Sequence, residues 1–586
     1  MRKLKIISGM LFVLFFTVQS CSDEYLTREP EGRLGRGSLL TEEGVNGILL
    51  GAYAMIDGTG LNGQAAWHND IQGWVFNLAS DDALKGTDAG DQPEQSFIEA
   101  YDFQPFNEHI TNKWRGLLKG AARANDAIDA ANQLSEGAIS EGNKNQIIAE
   151  ARFLRGLFYM EARKMWRNPP YVDDETYDIN DLESTKVPND REIWPFIEGD
   201  FEAAAAVLPE SQSQVGKPTS WAAKAFLAKA KMYQGWDADG NANLEMLTQA
   251  KELLDEIVAS GKYSLTPKFE DNFLVATRNN EESIFEIQYA VSSSNGDAAA
   301  QGIALAHPYT DPWGCCGFYQ VSQNLVNAYQ TENGLPLLDT FDNTDVSSEV
   351  NGNSMSVVTS PLDPRLDHSV GRPGIFYKGF KIYQTDFVRD LTYAGPFFSK
   401  KHVAEPEGFG IAGWGNLSAN NYRIMRYGMI LLWLAEAEVE LGNLERAREL
   451  VNQIRERAAN PDGFVKKALQ GEDRNDFTLT DDPAANYEIS TYDTPWTDQV
   501  TARKAVRFET RLEFAMEGHR FFDLQRWGTA AKVLNNYIAS ESQHRIYLKG
   551  KTFVKGKNEF FPIPVQAIDR SALNGQNTLT QDPAYQ

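Results

Sequence analysis

The chain has 586 residues, of which 42% are hydrophobic and 11% aromatic, so it can bury one large core or a few domains and is not a disordered protein. Its formal net charge of -25 repels phosphate backbones and anionic headgroups, which argues against nucleic acid as a ligand. Only three cysteines occur, too few for a disulfide framework, so packing must hold the fold together.

The N-terminus has the layout of a secretory signal peptide. Basic residues precede an apolar run from Ile6 to Val18, and Ser20 stands directly before Cys21. The run is too short to span a bilayer with ease, and a small residue before a lone cysteine is similar to the lipobox of bacterial lipoproteins. We therefore expect residues 1–20 to be a signal peptide, Cys21 to carry a lipid and residues 21–40 to form a linker. A plain cleaved signal without a lipid is the alternative.

Most organised segments after the linker carry the apolar period of an amphipathic helix. Apolar residues recur at three- and four-residue steps in residues 110–134 and again in 145–166. Further helical segments, separated by short polar turns, are 193–211, 220–235, 244–263, 427–443 and 444–459. Helix pairs with small residues at packing positions are typical of tetratricopeptide-like (TPR-like) repeats, because each pair buries its apolar face only against a neighbour. The sequence predicts a mainly α scaffold of this kind, with ordinary helical bundle packing as the alternative.

Two turn-rich segments interrupt the helical pattern. One runs from Gly58 to Glu108, and the other covers about residues 267–421, where glycine, proline, asparagine and aromatic residues dominate and only short β-prone pieces occur. Long irregular segments in a compact protein usually carry function. We therefore expect the ligand site in these segments.

The stretch DPWGCCGFYQ, residues 311–320, sets two adjacent cysteines among three aromatic side chains: Trp313, Cys315, Cys316, Phe318 and Tyr319. Adjacent cysteines are poor joint zinc ligands, and nothing in the sequence indicates a histidine partner for a nucleophilic cysteine. In an oxidising compartment the two thiols can close a vicinal disulfide that stiffens the turn. We interpret the stretch as an apolar platform for the C–H face of a sugar ring. A turn packed into the core and a pair of free thiols are the alternatives.

Other residues of the two turn-rich segments complete the predicted glycan site. Trp67 and Trp74 are further aromatic candidates, because helix packing does not explain them. A sugar's hydroxyl groups also need fixed polar partners, and the candidates for that role are Asp81, Asp82, Asn324 and Arg389.

The sequence does not predict catalysis. No H-E-x-x-H, G-x-S-x-G, Walker or Cys-x-x-Cys motif occurs, and 81 acidic residues make some carboxylate pair inevitable by chance. We expect no enzyme activity, no catalytic metal and no cofactor. A structural cation such as calcium stays open, although GTDAGD and DADGNAN do not complete an EF-hand.

The run RFETRLEFAMEGHRFFDLQRWG, residues 507–528, has a plain physical interpretation as scaffold, with apolar residues facing a core and charged residues forming ion pairs. This run, the helix EARFLRGLFYMEARKMW, the closing segment FFPIPVQAIDR...NTLTQDPAYQ and the lipoprotein-like start together resemble the SusD/RagB family of outer-membrane nutrient-binding lipoproteins of Bacteroidetes. The resemblance covers nearly the whole chain, and residues 267–421 are the least family-like part.

The resemblance implies one SusD-like domain over residues 41–586, mainly helical, whose irregular region at about 267–421 forms a glycan-binding face. It implies a protein that captures oligo- or polysaccharide and delivers it to a SusC-like TonB-dependent transporter. Asp23 and Glu24 resemble the signal that sends such lipoproteins to the cell surface, so we expect a lipid anchor in the outer membrane and an outward orientation. A peptide- or other nutrient-binding lipoprotein of the RagB type is the second hypothesis.

Overall fold

The computed structural model describes residues 35–58, 71, 73–291, 299–346, 350–351, 354–355, 360–412, 415–473 and 475–586. The predicted signal peptide, the lipidation site Cys21 and the candidate Trp67 lie outside the described residues. For Trp74 the structure describes only the backbone, which begins a 3-10 helix, Trp74–Ala79.

Helices dominate the described residues. In chain order they are Glu42–Tyr53 (α1), Pro93–Glu99 (α2), Glu108–Asn132 (α3), Glu141–Met165 (α4), Trp194–Val207 (α5), Ser220–Tyr233 (α6), Leu244–Ala259 (α7), Gln323–Ala328 (α8), Leu366–Ser369 (α9), Leu391–Ala394 (α10), Tyr427–Glu440 (α11), Leu444–Ala458 (α12), Gln499–Phe514 (α13), Arg520–Arg526 (α14), Ala530–Glu541 (α15) and Val565–Arg570 (α16). None of these helices combines the length and the apolar character needed to cross a bilayer.

The strands are short and pair only in antiparallel twos within the described residues. They are Ala83–Gly86 (β1), Ser283–Ile287 (β2), Phe318–Val321 (β3), Thr331–Glu332 (β4), Leu335–Pro336 (β5), Val350–Asn351 (β6), Ser354–Met355 (β7), Val370–Gly371 (β8), Phe376–Tyr377 (β9), Lys381–Ile382 (β10), Phe398–Ser399 (β11), Phe409–Ala412 (β12), Gly415–Ser418 (β13), Tyr422–Arg426 (β14), Lys466–Gln470 (β15), Phe477–Pro483 (β16), Ala572–Leu573 (β17) and Gln576–Asn577 (β18). Two pairs join distant parts of the chain, namely β1 with β3 and β2 with β14.

Capping and close packing explain the long helices of the scaffold. The side chain of Asn107 accepts a hydrogen bond from a backbone N–H at the start of α3, and that of Ser140 does the same for α4. Consecutive helices from α3 to α7 pack against one another, and α7 packs on α11, which also contacts α12 and α13. A Cβ on Gly156 of α4 would lie 3.0 Å from the ring of Phe201, so glycine lets α5 approach closely. The prediction of a mainly α, TPR-like scaffold is confirmed.

The run at residues 507–528 is scaffold, as predicted. Glu513 of α13 lies at the centre of a buried cluster of ion pairs: its carboxylate is 3.1 Å from Arg365 and 2.7 Å from Arg426, and it also binds Arg457. The cluster ties α13 to β14, to α12 and to the segment before α9. Four distant segments therefore meet at the side chain of Glu513, and further carboxylates, among them Glu282 and Glu509, pair with the same arginines.

A second, smaller apolar core lies apart from the main one and belongs to the irregular region. Its buried members are Trp313, Tyr377, Tyr383, Phe387, Val388, Phe398 and Val403. Between residues 267 and 421 the described chain has no helix longer than the six residues of α8, so aromatic side chains rather than helices hold this region together.

Candidate functional site

The pairing of β1 with β3 brings two turn-rich segments into contact. Gly86 lies opposite Phe318, and the N–H of Thr87 donates a hydrogen bond of 2.7 Å to the carbonyl of Gly317. A Cβ on Gly86 would lie 2.5 Å from that carbonyl oxygen, and φ is +75° at Gly86, so this close approach requires glycine. The loop after β1 and the turn before β3 therefore form one continuous piece of surface.

Loop 88–91 is held in one conformation from within. One oxygen of the Asp88 carboxylate accepts hydrogen bonds from the N–H groups of Gly90 (2.8 Å) and Asp91 (2.9 Å). The buried side chain of Lys85 on β1 donates hydrogen bonds to the backbone carbonyls of Asp88 (2.7 Å) and Asp91 (2.6 Å). Both carboxylates are thus presented at fixed positions.

Arg389 crosses from the opposite side and binds both carboxylates. Its guanidinium nitrogens lie 2.9 Å from Asp88 and 2.8 Å from Asp91, and one of them donates to the hydroxyl of Thr87 at 3.2 Å. About a third of the Arg389 side chain stays exposed to solvent. The guanidinium group can therefore still donate to a ligand.

The ring of Tyr309 completes this surface. The guanidinium carbon of Arg389 lies 5.3 Å from the ring centroid, and 41% of Tyr309 is exposed. Its backbone N–H donates to the carbonyl of Phe387 at 2.8 Å, which ties the exposed ring to the second core. We refer to Tyr309, Arg389, Asp88 and Asp91 as the Tyr309–Arg389 face. It offers an open aromatic surface beside fixed hydrogen-bond donors and acceptors.

The predicted platform residues lie beneath this face and not on it. Trp313 is 3% exposed and packs in the second core, with its ring centroid 4.6 Å from that of Phe380 and 5.6 Å from that of Tyr377. Phe318 and Tyr319 on β3 are buried as well, at 1% and 0% exposure. The structure corrects their predicted role, because a ring enclosed by protein cannot stack on a sugar.

The sulfur atoms of Cys315 and Cys316 are joined in the structure. Cys316 is buried and Cys315 is half-buried, and the amide of Asn416 donates a hydrogen bond to the carbonyl of Cys315. This turn lies next to the face, since a Cβ on Gly317 would be 3.7 Å from the Cβ of Arg389. Burial corrects the expectation of direct contact with a sugar for Cys316, whereas for the half-buried Cys315 that contact stays a prediction.

The predicted acidic residues Asp81 and Asp82 are buried in ion pairs. Asp81 lies 2.8 Å from Arg520 and 3.2 Å from Arg511, and Asp82 lies 2.9 Å from Arg511. Burial works against the charged form of Asp81, but the two guanidinium groups lower its pKa to about 2. Asn324 belongs to the same network, because its side chain accepts from Arg511 at 2.8 Å. These three residues brace the scaffold, which corrects the prediction that they hold a sugar's hydroxyl groups.

Arg389 is the one predicted polar residue that the described structure places on the surface of the site. Tyr309, Asp88 and Asp91 were missed by sequence reasoning. A signal for the two aspartates was present in GTDAGD, because aspartate and glycine together are typical of turns in which a side-chain oxygen binds nearby backbone N–H groups. Within the described residues, no group of three or more histidine, cysteine or acidic side chains could hold a metal ion.

Comparison with known proteins decides the family. The sequence model described as "SusD family" matches residues 281–585. The chain belongs to the SusD family. A second model of that kind, described as "Starch-binding associating with outer membrane", matches residues 41–232.

The curated relatives of this SusD-family chain are distant. A SusD-like protein of Bacteroides ovatus is 25% identical over 326 residues, and the match covers 55% of this chain and 57% of that relative. The chain thus spans less than two thirds of that relative's length. SusD-like protein P2 of Formosa agariphila is 23% identical over 540 residues, with 90% of this chain and 91% of the relative covered.

Solved structures share the fold. A SusD superfamily protein from Bacteroides vulgatus matches with a TM-score of 0.65 at 20% identity, covering 93% of this chain and 99% of that one. A structure titled laminarin binding SusD-like protein matches with a TM-score of 0.62 at 20% identity, covering 93% and 100%. Surface glycan-binding protein A from Bacteroides thetaiotaomicron, in complex with laminarihexaose, gives a TM-score of 0.64 at 20% identity, covering 92% and 99%. The family resemblance is confirmed, and membership of this family supports the prediction that the chain is not an enzyme.

Proposed function

We propose that this SusD-family protein binds oligo- or polysaccharide at the Tyr309–Arg389 face. The observation that carries the proposal is the exposed ring of Tyr309 beside a guanidinium group that two aspartates hold in place. A pyranose ring packs its C–H face on an aromatic ring, while its hydroxyl groups need donors and acceptors at fixed positions. The face supplies both within one continuous surface.

The rigidity of the face favours sugar binding physically. A ligand that meets ordered side chains loses less free energy to the ordering of the protein than one that meets mobile chains. Such a shallow site buries little area, so we expect affinities on the order of micromolar to millimolar for one site, raised by repeated units along a polysaccharide. Two proteins of the same fold, one named for laminarin binding and one in complex with laminarihexaose, are consistent with this ligand class.

The proposal extends to where the protein works. We infer a lipid anchor at Cys21 in the outer membrane, an outward orientation, and delivery of the captured glycan to a SusC-like TonB-dependent transporter by one SusD-like domain over residues 41–586. Support comes from the signal-like N-terminus and from the matching model whose description places such proteins at the outer membrane.

The test is affinity electrophoresis of the mature, unlipidated protein on a panel of soluble polysaccharides that includes laminarin and starch. We expect at least one polysaccharide to retard the protein, and we expect Tyr309→Ala to abolish that retardation because the stacking surface is lost. Tyr177→Ala is the matched control: it removes a half-buried tyrosine near Asp126 and Arg36.

Three results would contradict the proposal. They are the absence of retardation on the whole panel, equal loss in the Tyr309 and Tyr177 variants, and full retention in Tyr309→Ala. Circular dichroism of each variant shows whether the fold is intact, so that loss of binding is separated from unfolding.

Peptide binding of the RagB type is the second candidate, and one observation favours it. The hairpin of β15 and β16 is mostly exposed, with Leu469 at 49% and Leu479 at 47% exposure, and a two-stranded sheet has free edges. An extended peptide can add a strand to such an edge. Peptide binding would be the better assignment if the immobilised protein retained peptides from a mixed pool and no polysaccharide bound. Deletion of residues 466–483 should then abolish the retention of peptides.

A further inference from the structure

A separate cleft of about 380 Å³ opens between α13 and α15, and none of its lining residues belongs to the Tyr309–Arg389 face. From α13 the residues Lys504, Arg507 and Phe508 line it at three- and four-residue spacing, and the residues from α15 include Lys532. Its volume lies within the range of small-molecule sites. The half-buried rings of Phe341 and Phe508, with centroids 5.4 Å apart, form an apolar wall.

The charges around the cleft do not balance. Two of the three carboxylates that line it are paired with cations: Asp81 with Arg511 and Arg520 at 3.2 and 2.8 Å, and Asp339 with Lys504 at 2.6 Å. The third, Asp342, accepts hydrogen bonds from the side-chain amides of Asn324 and Asn327 at 2.7 and 2.9 Å. Arg507 and Lys532, by contrast, form no ion pair with any residue that the structure describes, and the buried Nε of Arg507 has no hydrogen-bond partner. Five cations and three carboxylates line the cleft, so it carries an excess of positive charge in a chain whose net charge is -25.

Arg507 is held in place although no described carboxylate lies within ion-pair distance of it. Its guanidinium carbon lies 4.7 Å from the ring centroid of Trp527 and 5.4 Å from that of Trp236. The nearby carboxylate of Glu436 binds other groups instead: it pairs with Arg526 at 2.9 Å and accepts a hydrogen bond from the indole N–H of Trp527. Burial lowers the pKa of Arg507 to about 10, so the group still carries its charge at neutral pH.

We propose that this cleft binds a small organic anion, whose carboxylate or sulfate group meets Arg507 and Lys532 and whose ring packs against Phe508. A guanidinium group matches the two oxygens of such an anion, and an ammonium group adds a second charge-assisted hydrogen bond. Acidic sugars have this chemistry: a uronic acid supplies the carboxylate and a sugar sulfate ester supplies the sulfate. Binding here is independent of the glycan binding proposed at the Tyr309–Arg389 face.

Titration calorimetry of the mature protein at low ionic strength tests the proposal with four probes: glucuronate, glucose 6-sulfate, glucose and inorganic sulfate. We expect one or both acidic sugars to bind, and we expect glucose and inorganic sulfate to bind at least about tenfold more weakly, because one lacks the anion and the other lacks the ring. Which acidic sugar binds more tightly distinguishes a carboxylate ligand from a sulfate ligand.

Two matched variants separate a site from a general charge effect. Lys532→Gln should weaken binding of the acidic sugar by about tenfold or more, because one of its two charged partners is removed. Lys549→Gln removes the same charge from an exposed lysine that does not line the cleft, and it should leave the affinity unchanged. Equal losses in both variants, no binding of either acidic sugar, or equal binding of inorganic sulfate would each overturn the proposal. Neutral polysaccharide should still retard the Lys532→Gln variant in affinity electrophoresis. A failure of the proposed anion site can therefore be distinguished from a failure of the proposed glycan site.

Discussion

Glu99 at the end of α2 is buried next to β1, the strand that carries the loop of the Tyr309–Arg389 face. One oxygen of its carboxylate accepts hydrogen bonds from the N–H of Lys85 at 3.2 Å and from the hydroxyl of Tyr547 at 2.8 Å. Burial nevertheless disfavours the charged form and raises the pKa of Glu99 from 4.5 to about 7. The folded protein therefore holds this proton more tightly than the unfolded chain does.

The raised pKa of Glu99 predicts a pH-dependent stability. Between pH 4.5 and about 7 the folded state keeps a proton that the unfolded chain has lost, so the contribution of Glu99 to stability is present below pH 4.5 and is lost as the pH rises through 7. Glu99→Gln, which cannot ionise, should raise the free energy of unfolding over wild type by up to about 3 kcal/mol at pH 8 and have much less effect at pH 5. Urea denaturation of both proteins at the two pH values measures this difference. An equal change at both values would contradict it.

The bond between Cys315 and Cys316 stays a prediction that chemistry can test directly. Protein unfolded without reductant should take up no alkylating reagent at these residues, whereas reduced protein should take up two equivalents by mass spectrometry. Because the bond closes only a minimal loop, the double serine variant should lose roughly 1 kcal/mol of stability or less through chain entropy. Alkylation at both sites without reduction would show free thiols.

Residue type alone could not separate Trp313 from Tyr309. Both lie in the same short irregular segment, but Trp313 stands beside the adjacent cysteines, so the sequence analysis took it as part of the sugar platform. Its burial depends on rings contributed by Tyr377, Phe380 and Phe387, which lie more than sixty positions later in the chain. A local sequence pattern cannot reveal contacts between residues so far apart in the chain. For this reason the predicted platform consisted of residues that are buried beneath the surface.

At the scale of elements, apolar periodicity predicted the scaffold helices to within a few residues. The predicted segment 145–166 misses the first residues of α4, because the first turn of this helix is polar and carries no apolar period. Ser140 sets the start of the helix by capping it. Most of the strands could not be predicted, because those such as β8 and β11 have only two residues and show no alternation. Their positions follow from tertiary contacts.

The ion-pair cluster at the end of α13 makes one side chain critical for the scaffold. Burial works against the charged form of Glu513, but Arg365, Arg426 and Arg457 hold its pKa well below the usual range. Glu513→Gln would leave buried guanidinium groups without a full counter-charge, so we expect a loss of about 3–5 kcal/mol in the free energy of unfolding by urea denaturation. Glu445→Gln, which breaks the exposed pair with Arg448 on α12, is the control and should barely move the midpoint. A midpoint unchanged in Glu513→Gln would show that the cluster adds nothing to stability.

At the scale of the whole molecule, the proposed lipid anchor depends on a single residue, Cys21, which lies outside the described structure. Cys21→Ser should shift the protein from the membrane pellet to the soluble fraction, because serine cannot carry the proposed lipid anchor. Ultracentrifugation of lysed cells followed by immunoblotting measures the distribution. Ser22→Ala, at the neighbouring position, is the control, and membrane retention of the Cys21 variant would contradict the proposed anchor.

The antiparallel pairing of β1 with β3 also determines when the Tyr309–Arg389 face can form during synthesis and export. The loop of residues 88–91 is made early in synthesis, but its partner strand and Arg389 follow only after several helices have been made. A chain that crosses a membrane N-terminus first would therefore emerge with half of the proposed sugar-binding face missing. Under the proposed function, sugar could bind only after these distant contacts have formed, so an incompletely exported or truncated molecule could not bind sugar on the wrong side of the membrane.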